Sequence, residues 1–167
     1  MQKIRNWSAL ILVFVLATGA CLAQEAAPPK FYKLEFVVKE VEGTKVLNAR
    51  AYTVTVSTEK GDAKSSIRTG SKVPTSMGSS YTYLDVGVSI DCRYVTEAPG
   101  QLTLRIDADI SSVLHESTPT NLPPTVRQNK WTSSVVVPLR KPTVLYSSDD
   151  LTTKQQMQLE LTATPIT

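Results

Sequence analysis

Tyr83-Leu84-Asp85-Val86-Gly87-Val88-Ser89-Ile90-Asp91-Cys92-Arg93-Tyr94 alternates without a break. Leu84, Val86, Val88, Ile90, Cys92 and Tyr94 share one parity; Tyr83, Asp85, Gly87, Ser89, Asp91 and Arg93 share the other. Successive side chains of a strand point to opposite faces, so this segment reads as a strand with one apolar and one mostly polar face. An amphipathic helix would instead repeat every 3.6 residues.

The neighbouring segments follow the same rule. Glu97-Ala98-Pro99-Gly100 is a turn, and Leu102, Leu104, Ile106, Ala108 and Ile110 then alternate with Thr103, Arg105, Asp107 and Asp109. Two long alternating runs joined by a short turn predict a hairpin. Upstream, Phe31 to Lys39 and Ala51 to Ser57 read as strands, Glu59 to Asp62 as a turn, and Ser66 to Thr69 as a short strand. Gly70 to Ser80, rich in Gly and Ser, reads as a loop. Downstream, Glu116 to Pro124 is a Pro-bearing loop, followed by strands at Trp131 to Val137, Thr143 to Tyr146 and Gln156 to Thr164. The one helix candidate is Ser148 to Gln156, with Asp149-Asp150 at its first turn. About seven or eight strands without strand–helix alternation predict an all-β domain. The expected fold is an antiparallel β-sandwich or curled sheet with at most one short helix.

The front of the chain has a different character. Lys3 and Arg5 precede the apolar run Ala9 to Ala17, and small residues then lead to Cys21-Leu22-Ala23 before Gln24. That layout predicts a secretory signal peptide over 1–23, and the apolar run is short of the roughly 20 residues that span a bilayer. Residues 24–30 read as a flexible leader and 31–167 as a single β domain. A second reading takes Thr18-Gly19-Ala20-Cys21 as a lipoprotein box, with Cys21 carrying the lipid. Either way the expected localisation is exported, in the periplasm or at the outer membrane.

The chain has 18 basic and 15 acidic residues. Without Lys3 and Arg5 the balance is 16 against 15, so no basic surface argues for nucleic acid. Cys92 is the one cysteine beyond the signal, and its apolar-phase position favours a buried small residue over a reactive thiol.

Catalytic candidates are few. His115 is the only histidine and stands beside a loop. No second histidine or cysteine cluster completes a zinc site, and neither a Gly-x-Ser-x-Gly elbow nor a phosphate-binding glycine loop occurs. Asp107 and Asp109 share a strand face, as do Asp85 and Asp91. Such pairs can serve a glycosidase or hold calcium, but alternating acids are more simply the solvated side of a strand. Asp149-Asp150 is read as a cap rather than a cation site. Tyr81 and Tyr83 can stack on sugar or peptide; cross-strand packing accounts for them as well. No catalytic, cofactor-binding or metal residue is assigned, and no enzyme activity or cofactor is expected.

The order of short motifs adds one more indication. Ser66-Ile67-Arg68-Thr69-Gly70-Ser71-Lys72-Val73-Pro74 precedes Tyr81-Thr82-Tyr83-Leu84-Asp85-Val86-Gly87-Val88. Leu102 to Ile106, Asp109-Ile110-Ser111-Ser112-Val113, Pro124-Thr125-Val126-Arg127-Gln128, Thr132 to Val137 and a closing Leu159 to Ile166 follow. Over 66–166 this resembles the C-terminal β-domain of bacterial secretins, the outer-membrane channels of type II and III secretion and type IV pilus systems. Where that family usually has a Gly-Gly turn, this chain reads Pro138-Leu139-Arg140-Lys141-Pro142. The resemblance implies a shortened, non-enzymatic relative in the cell envelope. It would bind envelope proteins or copies of itself through sheet edges. Membrane contact would follow only from lipidation at Cys21 or from a pore. The alternatives are a pore-forming oligomer and a carbohydrate-binding or hydrolytic module.

Overall fold

The computed structural model describes residues 28–58, 64–77, 80–114, 125–150 and 153–166. Eight strands are present: β1 (Phe31–Glu42), β2 (Lys45–Ser57), β3 (Ser65–Met77), β4 (Ser80–Ala98), β5 (Gln101–Leu114), β6 (Thr125–Pro138), β7 (Thr143–Asp149) and β8 (Gln155–Ile166). They form two four-stranded antiparallel sheets, β2-β1-β8-β7 and β3-β4-β5-β6, stacked as a sandwich. Neither sheet closes into a barrel. The all-β antiparallel expectation holds.

The alternating apolar residues meet between the sheets. Tyr32, Leu34 and Phe36 of β1, Leu159, Leu161 and Ala163 of β8, Ile90 and Cys92 of β4, and Leu102, Leu104 and Ile106 of β5 are all buried there. Each fully buried large aliphatic or aromatic side chain contributes about 1.5–3 kcal/mol through removal from water. The β4–β5 hairpin turns at Pro99-Gly100, where Gly100 has φ 74°, a value that favours glycine.

Three expectations are corrected. Gly70 to Met77 is not a loop: β3 runs on from Ser65 to Met77, paired with β4 throughout. Its Gly and Ser content misled because pairing to a long partner, rather than propensity, holds the strand. No helix spans Ser148 to Gln156. Ser148 and Asp149 end β7, Gln155 begins β8, and the Asp150 N–H donates to the Gln155 carbonyl at 2.8 Å. Asp150 does cap, but a turn: its Oδ1 accepts from the Thr153 N–H at 2.9 Å. Tyr94 leaves the apolar face. A bulge between Arg93 and Thr96 gives Tyr94 φ 53° and turns it outward, and Val95 is buried instead. The predicted turn at 59–62, the loop at 116–124, His115 and the signal segment with Cys21 lie outside the described residues.

The two ends of the sandwich differ. At the end holding Lys30, the sheets are tied together. Lys30 Nζ meets Glu97 Oε2 at 2.5 Å, and the Tyr32 hydroxyl bonds to the same carboxylate. The segment after β6 also crosses between sheets here: the Leu139 N–H donates to Gly100 and the Arg140 N–H to Ala163, at 3.0 and 2.8 Å. At the other end the second sheet divides. β4 leaves β5 beyond Val88, while β3 and β4 stay paired out to Met77 and Ser80.

Gly70 and Gly87, directly opposed, mark that departure. A Cβ on Gly70 would fall 2.3 Å from the Val86 carbonyl oxygen, and one on Gly87 2.2 Å from that of Thr69. Gly87 also has φ 154°. The Ser111 hydroxyl of β5 accepts from the Gly87 N–H at 3.0 Å, satisfying the backbone where the ladder stops.

Candidate functional site

Three surfaces carry the residues singled out in the sequence. The first is the outer face of the β3-β4-β5-β6 sheet. Asp91 and Asp107 stand directly opposite each other on β4 and β5, an arrangement that costs stability unless cations surround it. They do. Asp91 accepts from Arg68 at 2.6 Å, Ser66 at 2.7 Å and Lys64 at 3.0 Å. Burial alone would raise its pKa, but these bonds outweigh it and hold the carboxyl down at about 2. Asp107 accepts from Thr132 at 2.8 Å. Asp109 accepts from Gln128 at 2.9 Å and meets Lys130 at 3.3 Å. Every one of these carboxylates is already engaged by a neighbour, which is what a solvated strand face does. Among the described residues, no group of three or more His, Cys, Asp or Glu side chains is placed to hold a metal ion. Asp85, which shares a strand face with Asp91 in sequence, lies beyond Gly87 and pairs with Lys72 at 2.8 Å.

The second surface is the β3–β4 ribbon beyond the two glycines. Tyr81 is 74% exposed and Tyr83 62%, so cross-strand packing does not cover them. Their partners across the ribbon are Ser76 and Pro74, which offer no aromatic neighbour. On the other parity, Leu84 is also exposed and Val73 and Val86 are half-buried. This parity continues the core face of β4.

The third is a cleft of about 750 Å³ between the sheets at the divided end. Its floor is Val38, Tyr52, Val88, Ile110 and Met157. Above that floor the inward-facing positions turn polar on strand after strand: Glu40 on β1, Arg50 on β2, Ser71 on β3, Arg127 on β6 and Gln155 on β8. Arg127 pairs with Asp150 across the two sheets, and Asp150 is nearly fully buried. An apolar floor with convergent polar groups is the ordinary form of a binding cleft.

Cys92 belongs to none of these. It is buried in the core, and burial, with a smaller contribution from Asp91, pushes its thiol up to about 12. Tyr32 is likewise pushed up to about 12, chiefly by burial and then by Glu97. Sequence reading missed the cleft, because polar residues at the ends of strands look like strand termini. It also missed the glycine pair: Gly87 stands inside a strand-like run, but Gly70 reads as the start of a loop.

The free sheet edges complete the picture. β2 and β7 border one sheet, β3 and β6 the other. This pair of antiparallel sheets is similar in fold to solved secretin structures. GspD, a type II secretin from enteropathogenic Escherichia coli, matches with a TM-score of 0.57 over 96% of this chain and 73% of that one, at 9% identity. InvG, the secretin of the Salmonella SPI-1 type III secretion injectisome, matches with 0.51 over 83% of this chain and 64% of that one, at 9% identity. The InvG secretin-domain β-barrel gives 0.50, 83%, 62% and 10% identity. The chain thus spans less than two thirds of the InvG chains. At these identities the likeness is one of fold. No protein-family model matches the chain, and no curated protein does.

Proposed function

We propose that this chain is an exported, non-enzymatic β-domain protein of the bacterial cell envelope that works by holding other proteins through its sheet edges, in a secretion or pilus system. The observation that carries this is the secretin-like pair of open sheets. Edge strands present unpaired backbone N–H and C=O groups, which accept a strand from a partner or from a second copy. Asp91, Asp107 and Asp109 are each engaged by neighbouring side chains, as on a solvated strand face. In this reading residues 1–23 are removed on export, 24–30 link, and 31–167 form the working domain.

Cross-linking in intact envelopes, followed by mass spectrometry, tests the proposal. The expected result is edge-strand cross-links to an envelope protein or between copies. A processed chain that stays monomeric at high concentration and cross-links to nothing in the envelope would refute it.

A further inference from the structure

The edge strand β2 has two unlike halves. Toward Ser57 its outer side lies against β3, and the Ser65 hydroxyl donates to the Thr55 carbonyl at 2.8 Å. Over residues 45–51, by contrast, every residue is exposed. This half pairs with β1 alone, contains no proline and borders the cleft. Proline and short length are common ways to keep an edge from accepting a strand. Two other edges carry one of them: Pro74 stands within β3, and β7 is only seven residues long, whereas β6, like this half of β2, has neither along Thr125–Val137.

Electrostatics adds a second, independent observation. Two cations line the cleft. Arg127 is held by Asp150. Arg50 has no ion pair and no side-chain hydrogen bond among the described residues. Glu40, across from Asn48 on β1, does not pair with it and lies one strand further from the open edge. An incoming strand would therefore meet Arg50 first. On the cleft side Arg50 is flanked by Asn48 and Tyr52, two residues away in each direction.

We propose that the half of β2 over residues 45–51 accepts an extended segment of another polypeptide as an added strand. The segment places an acidic side chain beside Arg50 and an apolar one beside Tyr52. Main-chain bonds supply the pairing, and the alternate side chains that enter the cleft supply the selectivity. The inference rests on the edge-binding reading above and names one edge and one chemistry for it.

Two fluorescein-labelled seven-residue peptides serve as probes, each alternating Thr and Val with a single charge at the centre. One is Thr-Val-Thr-Asp-Thr-Val-Thr, and the other has Lys in place of Asp. The Asp peptide should bind saturably by fluorescence anisotropy, and the Lys peptide should bind at least about tenfold more weakly. Arg50→Glu, at an exposed position outside the core, should reverse that order with an unchanged circular-dichroism spectrum. Equal binding of both peptides, binding of neither, or an unchanged order in the Arg50→Glu protein would overturn the inference. If envelope cross-links persist while the peptides fail, this site assignment falls and the broader function stands.

Discussion

The end of the sandwich that holds Lys30 and the end that holds the cleft are built from the same eight strands, yet they solve opposite problems. At the Lys30 end, the inward positions are Tyr32, Leu34, Leu102 and Leu104, and all are buried. A charged group is admitted there only at the rim, where Glu97 takes both Lys30 and the Tyr32 hydroxyl. At the cleft end, the same inward parity carries Glu40, Arg50, Ser71 and Arg127. Burying those between two sheets would cost several kcal/mol per unpaired charge, so the sheets stay apart and leave a cleft. The alternation that makes a strand is common to both ends. What closes one and opens the other is the chemistry at the inward positions.

Substitutions should therefore separate the ends by size of effect. Phe36→Ala strikes the closed core, where the ring is fully buried. It should cost about 3–5 kcal/mol through lost burial and the cavity left behind, read from urea denaturation. A cost below about 1 kcal/mol would mean that the core does not depend on this packing.

Gly87→Ala strikes the boundary between the ends. The new methyl would stand 2.2 Å from the Thr69 carbonyl oxygen, at a φ of 154°. Either the β3–β4 pairing shifts or the backbone strains, and about 2–3 kcal/mol should be lost. Hydrogen exchange should locate the loss in β3 and the ribbon, leaving the β1 and β8 amides protected. Uniform loss across both sheets would show that the ribbon is not a separable element.

Asp91→Asn tests the outer face. Asp91 is held at about 2 when folded, against an ordinary value near 3.8. A depressed folded pKa contributes stability above the unfolded pKa, and that contribution disappears as pH falls through about 4 toward 2. The Asn variant should be less stable than the parent by about 1 kcal/mol at pH 7. The difference should shrink markedly by about pH 2 and be lost below it. A gap that persists unchanged at pH 2 would assign the effect to lost packing instead of lost charge.

The sequence conveyed the closed end well. Leu102, Leu104 and Ile106, and Leu159, Leu161 and Ala163, were legible as core because burial of one strand face imposes strict two-residue alternation. It conveyed the boundary poorly. Tyr94 keeps the apolar phase in one dimension, and only the bulge, a register event between two strands, turns it out. Gly70 to Ser80 read as a loop because β propensity is weak there, whereas cross-strand pairing to β4 supplies the order. The cleft was not legible at all. Glu40 and Arg50 meet through the pairing of β1 with β2, but Arg127 is far along the chain, and only the stacking of the two sheets brings it to them. The secretin-like order of motifs was visible despite this, since it depends on strand sequence and not on the interior chemistry.

The smallest effect is expected at the ribbon, and it separates a surface kept for stability from one kept for contact. Tyr83 is 62% exposed and lies opposite Pro74. Its ring removes little apolar area from water within the chain, so Tyr83→Ser should change stability by no more than about 0.5 kcal/mol. An exposed tyrosine on a protruding strand pair still offers a large, rigid surface to a partner. The same variant should therefore weaken envelope cross-linking through the ribbon while leaving the urea midpoint in place. The reverse pattern, a lowered midpoint with cross-linking intact, would make Tyr83 part of the scaffold and would move the division between the two ends outward, beyond the glycine pair.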